Sequence, residues 1–496
     1  MTPNVLARLV EAQAREQGAR LYLRVETAEG TESWTYRRLA DEVAQRAQSL
    51  QDAGVRRGDR VGVMMAHPGQ FIVTWLALLV IDAVAVPVNP RAPRVDRDRT
   101  LDIAGSRWLI APTGGLAPAL GGWMELAPDG KVALRQMPEP RSASPRTGAG
   151  IILLTSGTTG DPKPVGLPLA ALLATARQVA EGHRLTADDM GFSPLPLFHI
   201  NAEVVAVLAP LVAGAAVVVA GQFHASRFWE IVNRYPITWI NAVPSILTVM
   251  VNREGAPRHP DRIRFIRSAS APLPLTTLSR VEARWQIPVI ETYGLSEAAS
   301  QVASNPLVQR RAGSVGKPTG TDIRVVDDNG IPCPQGTVGQ VEIRGPAVVD
   351  PRWGPNRWAL AKMRGGWYQT GDLGRFDREG YLYLEGRLRE LINRGGEKIF
   401  PREVEEAILT HADVVDCAVV GRPHPLLGEE PVAFVVARHG AAEVPEQLQN
   451  WVPEHLSRYK CPAQYFVVTT LPKGATGKIS RRELRMRVAD WGSEAQ

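Results

Sequence analysis

Cysteine is scarce in this 496-residue chain, and its three cysteines, Cys333, Cys417 and Cys461, lie far apart. None belongs to a CxxC pair, and no histidine stands at a metal-ligand spacing from any of them. Neither a zinc site nor a disulfide framework is therefore implied. This pattern is typical of a reducing, cytoplasmic compartment.

Lysine is also rare, because only eight of the 57 basic residues are lysines and the other 49 are arginines. The net charge of +6 is therefore mostly an arginine background, as a GC-rich genome would produce, and no nucleic-acid partner is expected. Three lysines, Lys163, Lys398 and Lys478, lie in Gly-rich turns. A slender point charge suits such turns, so these three are candidate functional cations.

A long apolar run is missing as well. The most apolar stretch, residues 71–88, contains Asp82 and ends in prolines, which predicts a buried helix running into a strand and no membrane span. The first 18 residues include acidic side chains and lack an apolar segment, so no signal peptide is expected. The length predicts several packed cores, and the chain shows no internal repeat.

Apolar periodicity predicts alternating helices and strands in the first third of the chain. Residues 151–155 form an apolar strand, a polar loop follows, and helical spacing resumes at Leu169. This order of strand, Gly-rich loop and helix predicts a phosphate site. Strands are also predicted at 236–243, 263–270 and 287–294, and ligands of open α/β sheets bind at the carboxyl ends of strands.

The predicted secondary structure changes to strands and turns near residue 313 and to a compact α+β pattern after residue 389. The sequence therefore predicts an α/β protein with two domains. Residues 1–388 form a large N-terminal domain of mixed α/β sheets plus a β-rich subdomain. Residues 389–496 form a small mobile α+β C-terminal domain, with a hinge near Arg389.

The segment TSGTTGDPKP at 155–164 is the strongest chemical signal. Its glycines, hydroxyl side chains and lysine make a loop rich in donors for phosphate oxygens, but its spacing is not that of a Walker A loop. Other motifs follow in order, and together they resemble the adenylate-forming superfamily, which includes acyl-CoA synthetases, peptide-synthetase adenylation domains and luciferases. They are PLFHINA (196–202), SASAPL (268–273), ETYGLSE (291–297), YQTGDLG (368–374), GRLRELINRGGEKIFPREVEE (386–406) and PKGATGKISRREL (472–484).

The resemblance implies ATP, Mg²⁺ and coenzyme A as cofactors and assigns each motif a role. Glu297 would bind Mg²⁺, and Asp372 and Arg387 would bind the ribose. The phosphates would contact Thr155, Ser156, Gly157, Thr158, Thr159, Gly160 and Lys163, and the rest of the nucleotide would contact Ser270, Ala271, Pro272, Tyr293, Gly294 and Ser296. Gly395, Gly396 and Lys398 would line the coenzyme A tunnel.

Lys478 is the main catalytic candidate that the resemblance implies, with Glu297 and His199 beside it. A cation that bridges the attacking carboxylate and an α-phosphate oxygen offsets the repulsion between the two anions. His199 would be the gate between the acid pocket and the tunnel. Two departures from the family pattern, Pro164 in place of a glycine and the unusual segment 347–358, bear on nucleotide affinity.

The predicted function is that of an AMP-forming acid:CoA ligase. Because His199 follows Phe198 where amino-acid-activating relatives carry an aspartate, a non-amino acid is expected. The sequence most resembles the oxalate and small-acid CoA ligase branch of the family. A bulky aryl or terpenoid acid is an open alternative for the substrate. Two alternatives are a stand-alone enzyme that passes the acyl group to a carrier protein or partner transferase, and a degenerate adenylate-binding protein. A homodimer also stays open.

Overall fold

The structure, a computed structural model, describes residues 4–112, 124–125, 132–136, 147–155, 162–438, 443–473 and 479–491. Helices and strands are numbered along the chain. The described ranges contain twelve α-helices: α1 (Val5–Gln17), α2 (Tyr36–Asp52), α3 (Pro68–Val80), α4 (Arg94–Ala104), α5 (Leu169–Gly182), α6 (Ala209–Ala213), α7 (Phe228–Arg234), α8 (Pro244–Val251), α9 (Leu275–Trp285), α10 (Pro401–Leu409), α11 (Val444–His455) and α12 (Arg481–Trp491). A π-helix (Asn201–Leu208) precedes α6.

The same ranges contain 26 strands, which form four sheets. They are β1 (Leu21–Glu26), β2 (Thr31–Thr35), β3 (Arg60–Val63), β4 (Val84–Pro87), β5 (Trp108–Pro112), β6 (Met124–Glu125), β7 (Val132–Gln136), β8 (Gly150–Thr155), β9 (Lys163–Pro168), β10 (Met190–Ser193), β11 (Ala216–Val219), β12 (Trp239–Ala242), β13 (Phe265–Ser268), β14 (Val289–Tyr293), β15 (Ala303–Ser304), β16 (Lys317–Pro318), β17 (Asp322–Val326), β18 (Gly339–Arg344), β19 (Met363–Arg364), β20 (Trp367–Phe376), β21 (Leu382–Arg387), β22 (Ile392–Arg394), β23 (Glu397–Ile399), β24 (Val414–His424), β25 (Gly428–Ala437) and β26 (Tyr465–Val467).

The first sheet has the order β16-β15-β14-β13-β12-β10-β11-β1-β2. The run from β14 through β13, β12, β10 and β11 to β1 is parallel, and antiparallel strands complete both edges. Strands β12, β13 and β14 confirm the three strands predicted at 236–243, 263–270 and 287–294. Because neighbouring parallel strands point the same way, their carboxyl ends lie along one edge of this sheet.

The second sheet has the order β6-β7-β5-β3-β4-β8-β9. Between β3 and β4 the chain forms α3, most of which is buried, so the predicted passage from helix to strand within residues 71–88 is confirmed. In the part of the chain that the structure describes, no helix is both long enough and apolar enough to cross a bilayer.

The predicted order of strand, Gly-rich loop and helix after residue 151 is wrong. Strand β9 intervenes and pairs antiparallel with β8, so residues 156–162 connect two strands of a hairpin, and α5 begins only at Leu169. Val165 and Leu167 are fully buried on β9, and Gly166 between them is buried as well, so the strand lacks a period-two alternation of burial. Prolines at 164 and 168 are uncommon inside strands, and they conceal β9 in the sequence.

The third and fourth sheets follow along the chain. The third has the order β17-β18-β20-β19, with β21 paired antiparallel to β20. The fourth has the order β23-β22-β25-β24, with β26 parallel to β25, and α10, α11 and α12 accompany it. The predicted fold class is confirmed: a mixed α/β region is followed by a β-rich region and then by an α+β region.

The apolar cores divide in the same way. The largest cluster of buried apolar residues extends along the chain from Leu6 to Leu382, and the clusters that contain Ile392 and residues beyond it share no member with it. The domain boundary at Arg389 stays a prediction. All three cysteines are free thiols.

Glu291 lies at the contact between these regions. The carboxyl group on β14 is 4% exposed, and burial raises its pKa to about 7, while Arg402 on α10 opposes that shift. Glu406, which lies on α10 with Arg402, accepts a hydrogen bond from the Leu275 amide at 3.2 Å. The α+β region therefore packs on the large region over a buried carboxyl group that titrates near neutrality.

Replacement of Glu291 by glutamine should change the pH dependence of stability. The pKa is raised on folding, so the carboxyl group contributes most to stability below its ordinary pKa of 4.5, and this contribution is lost as the pH rises through about 7. At pH 8 we expect Glu291→Gln to be more stable than the parent by about 1–3 kcal/mol, with convergence near pH 5. Urea unfolding at both pH values measures this, and equal differences at the two values would contradict it.

Candidate active site

A cavity of about 460 Å³ opens at the carboxyl edge of the first sheet. Its walls come from the segments that follow β10, β12, β13 and β14, which include Phe198, His199, Ser270, Gly294 and Ser296. The aromatic rings of Phe198 and His199 meet edge to face with centroids 4.5 Å apart. The parallel register thus brings the predicted gate and parts of two predicted nucleotide motifs to one cavity.

The gate segment leads into the π-helix. The His199 carbonyl accepts hydrogen bonds from the amides of Ala202 and Glu203, which begin that helix. Asn201 is its first residue and lines the cavity. Short π-helical segments occur frequently at functional sites because they displace side chains from the regular helical register.

Tyr293, Asp372 and Arg387 form a second part of the site. The Tyr293 hydroxyl donates to Asp372 Oδ2 at 2.5 Å, and Arg387 Nε lies 3.1 Å from Asp372 Oδ1. Asp372 and Arg387 are direct partners in the β20–β21 ladder. Burial and the neighbouring carboxylate raise the pKa of Tyr293, and Asp372 raises the pKa of Arg387. Three residues predicted to bind the nucleotide therefore form one hydrogen-bonded group beside Gly294.

Glu297 follows in a short 3₁₀ helix (Ser296–Ala298). Its side chain is hydrogen-bonded to the Tyr368 hydroxyl. The pKa of Tyr368 is raised mainly by burial and further by the Glu297 carboxylate. Mg²⁺ in phosphate sites takes one or two protein carboxylates and completes its shell with phosphates and waters. The Glu297 carboxylate at the predicted nucleotide site fits this requirement.

Lys362, which sequence reasoning missed, belongs to the same neighbourhood. Burial lowers its pKa, and the charges of Arg389 and Lys163 lower it further. The Glu297 carboxylate acts in the opposite direction. The rarity of lysine in this chain is the signal that could have identified it.

The phosphate loop is described only at its ends, Thr155 and Lys163, which are partners in the β8–β9 ladder. Ser156, Gly157, Thr158, Thr159, Gly160 and Lys478 lie outside the described residues. Gly395, Gly396 and Lys398 lie on the β22–β23 hairpin, away from the cavity lining, and the Gly395 amide donates to the Leu427 carbonyl of the same α+β region. Among the described residues, the segments predicted to bind the nucleotide lie close together. The hairpin with Gly395, Gly396 and Lys398, which is predicted to line the coenzyme A tunnel, does not line the cavity.

The unusual segment, whose residues 349–358 we call the strap, covers the outer edge of β9. Asn356 accepts from the Gly166 amide at 2.8 Å and donates to the Gly166 carbonyl at 2.7 Å, as a paired strand would. Trp358 donates to the Pro164 carbonyl at 2.6 Å, and Lys163 Nζ lies 5.8 Å from the centre of the Trp358 ring.

The strap also explains two residues of β9. The amide position and carbonyl of a strand residue point to the same side, so Pro164, whose carbonyl faces outward, removes no hydrogen bond to β8. Trp353 lies so close to Gly166 that an added Cβ would come within 2.6 Å of its ring. At the other end of the strap, the Val349 amide donates to the Glu297 carbonyl at 2.6 Å. The strap therefore connects β9 to Glu297, the predicted Mg²⁺ ligand.

Comparison with known proteins identifies the family. The family model for "AMP-binding enzyme" matches residues 10–351, and that for "AMP-binding enzyme C-terminal domain" matches residues 403–478. The sulfoacetate–CoA ligase of Cupriavidus necator is 35% identical over 502 residues, with 97% of each chain covered. The oxalate–CoA ligase of Arabidopsis thaliana is 34% identical over 510 residues, with 97% of this chain and 98% of that protein covered.

Solved structures agree with the sequence relatives. ATP-bound MatB from Rhodopseudomonas palustris superposes with a TM-score of 0.86 at 27% identity, with 98% of this chain and 99% of that chain covered. The o-succinylbenzoate coenzyme A synthetase MenE from Bacillus subtilis, in complex with ATP and magnesium, gives 0.81 at 26% identity, with the same coverage. The predicted resemblance to the adenylate-forming superfamily is confirmed.

Replacement of Asn356 by alanine tests the strap. The change leaves the buried amide and carbonyl of Gly166 without partners, so we expect a loss of about 2–4 kcal/mol in the free energy of unfolding. Because Lys163 lies three residues earlier on β9, the KM for ATP should rise more than the KM for the acid.

Asn329→Ala, in an exposed turn of the third sheet, is the matched control and should change neither quantity. Denaturant unfolding and steady-state kinetics measure the two effects. Unchanged stability in Asn356→Ala would show that the edge of β9 does not depend on the strap.

Proposed function

Because the chain belongs to the AMP-binding enzyme family, we propose that it is an AMP-forming acid:CoA ligase that acts on a small, non-amino carboxylic acid. The observation that supports this most directly is the position of the cavity. His199 lies on one wall, and Gly294 and Ser296, which flank the Tyr293–Asp372–Arg387 group and Glu297, lie on another. An acid in the cavity would thus meet a nucleotide held at the same strand ends.

In the first half-reaction, a carboxylate oxygen attacks the α-phosphorus of ATP, and the bond to the bridging oxygen of pyrophosphate breaks. We propose that Asp372 accepts hydrogen bonds from the ribose hydroxyls, while Tyr293 and Arg387 fix its two oxygens. Thr155, Lys163 and the loop between them would hold the β- and γ-phosphates. Mg²⁺ bound at Glu297 would neutralise charge on the phosphates, as cations do in other phosphoryl transfers.

In the second half-reaction, the sulfur of coenzyme A attacks the acyl carbonyl carbon, and the bond from that carbon to the phosphate oxygen of AMP breaks. The thiol proton leaves to solvent. The hairpin that carries Gly395, Gly396 and Lys398 is exposed and lies apart from the cavity, so we propose that a rotation about Arg389 brings it to the site for this step.

Oxalate, sulfoacetate and 2-succinylbenzoate are the acids named for the relatives, and coenzyme A is their named acceptor. These names support coenzyme A as the acceptor here. A carrier protein is the alternative acceptor, and thioester formation with coenzyme A against a phosphopantetheinylated carrier distinguishes the two. Acyl-AMP formation without a coenzyme A thioester would overturn the first choice. We propose a cytoplasmic location, which the free thiols support.

Removal of the Lys478 side chain should abolish most adenylate formation. Loss of a cation that stabilises the charge of the transition state costs about 10²–10³ in rate, so Lys478→Ala should slow ATP–pyrophosphate exchange by that factor with an unchanged melting temperature. Lys473→Ala, which removes only an ion pair with Asp416 at 3.4 Å, is the control and should keep near-parental exchange. Full exchange activity in Lys478→Ala would refute the assignment.

A further inference from the structure

Arg267 is a buried cation beneath the acid cavity. It lies on β13 and is 1% exposed. Its Nη1 donates to Asn241 Oδ1 at 2.9 Å and to Asn201 Oδ1 at 3.0 Å, and Nε and Nη2 donate to Gln301 Oε1 at 3.3 and 3.2 Å. Within the part of the chain that the structure describes, no carboxylate lies at ion-pair distance from it. The guanidinium is therefore held by amide dipoles alone.

Neighbouring acidic groups do not offset this charge. Glu291 is in register with Ser268, one residue after Arg267, so its side chain projects to the opposite face of the sheet. Glu203 is fully buried near Asn201, and burial raises its pKa and favours its neutral form. Burial lowers the pKa of Arg267 only to about 9, which leaves it charged at neutral pH. A buried charge held only by neutral groups is costly, and proteins retain such charges where their field is used.

Arg267 also fixes the orientation of Asn201. The Asn201 carbonyl oxygen accepts from Arg267 Nη1 and from Asn241 Nδ2, the latter at 3.2 Å. With both acceptor positions occupied, the amide cannot turn its oxygen toward the cavity without losing these bonds. Its Nδ2 instead donates to Ser270 Oγ at 3.3 Å, and Asn201 and Ser270 both line the cavity. The cavity wall thus presents an amide donor beside a hydroxyl group.

Ser270 has the strained backbone expected of a functional residue. Its φ of +75° lies in the left-handed region, which glycine adopts without cost and serine does not. Among the described residues that line the cavity none is acidic, and Arg91 adds a second cation at its exposed rim. A donor pair, a buried cation and the absence of carboxylates from this wall together suit an anion.

We infer that the acid carries a second anionic group, a carboxylate or a sulfonate, which Asn201 Nδ2 and Ser270 Oγ bind while its other carboxylate is activated. This inference assigns the Ser270 side chain to the acid, whereas the sequence resemblance implied a contact with the nucleotide. Arg267 is the positioning residue: it holds the Asn201 amide with its N–H groups toward the cavity and supplies positive potential beneath them. This inference rests on the proposed ligase function and names its substrate class.

Matched acids of nearly equal shape test the inference. ATP–pyrophosphate exchange is measured with oxalate against oxamate, malonate against malonamate, and succinate against succinamate. At one chain length or more, we expect the diacid to exceed its neutral amide about 10-fold or more in kcat/KM. Exchange in which the amides match or exceed the diacids at every length would overturn the inference and leave the ligase function standing. Failure of exchange with these acids and with a broad panel of monoacids would instead overturn the proposed function.

Two variants test whether Asn201 and Ser270 cause the preference for the diacid over its amide. Asn201→Asp keeps an acceptor for Arg267 but replaces the N–H groups with a carboxylate oxygen, so the KM of the preferred diacid should rise about 10-fold or more while that of its amide changes little. Ser270→Gly relieves the positive φ and removes the hydroxyl, so it should fold at least as stably and lose part of the preference.

Asn252→Asp, at the exposed end of α8, is the matched control for the added charge and should keep the parental preference. A purely structural role for Asn201 would affect both acids of a pair equally. Such a parallel loss in Asn201→Asp, or an unchanged diacid preference in both test variants, would refute the assignment of these residues.

Discussion

The parallel pairing of β12, β13 and β14 is the constraint on which the site depends. Each strand contributes only a few residues to the sheet, yet their shared direction delivers three loops that are distant in sequence to one edge. The cavity and the Arg267 cluster lie at that edge, and so does Tyr293, which binds Asp372 of the third sheet. Strand pairing here fixes function directly, because a slip of one residue would turn Arg267 away from Asn241 and its amide partners.

The second sheet carries the ends of the predicted phosphate loop, and the strap joins this sheet to the first. The strap binds β9 through Asn356 and Trp358 and binds the backbone of Glu297 through Val349. Since each of these bonds uses a buried or partly buried backbone group, the strap also satisfies an edge strand that would otherwise expose unpaired groups. A departure from the family pattern that could have weakened nucleotide binding thus acts as a structural support.

Much of this arrangement follows from sequence patterns, and the rest depends on contacts that no local pattern contains. Apolar runs with polar ends locate β12, β13 and β14, and ordered motifs locate the residues that are predicted to bind the nucleotide. The hairpin of β9 is not predicted because prolines at 164 and 168 are uncommon inside strands and its three central residues are all buried. The pairing of Asn356 with Gly166 spans 190 residues. Arg267 does give a signal, since a charged residue inside an apolar strand requires partners, but the sequence does not say which side chains provide them.

The composition of the Arg267 cluster has a consequence for the working range of the enzyme. Asparagine and glutamine do not titrate, so among the residues that the structure describes the hydrogen-bond partners of Arg267 keep their charge state as the medium becomes acidic. The charge of Arg267 itself is accordingly retained on the acidic side of neutrality and declines only toward the alkaline pKa of its guanidinium, about 9. A carboxylate partner in the same place would have added a second titrating group to the Arg267 cluster, and the amides add none.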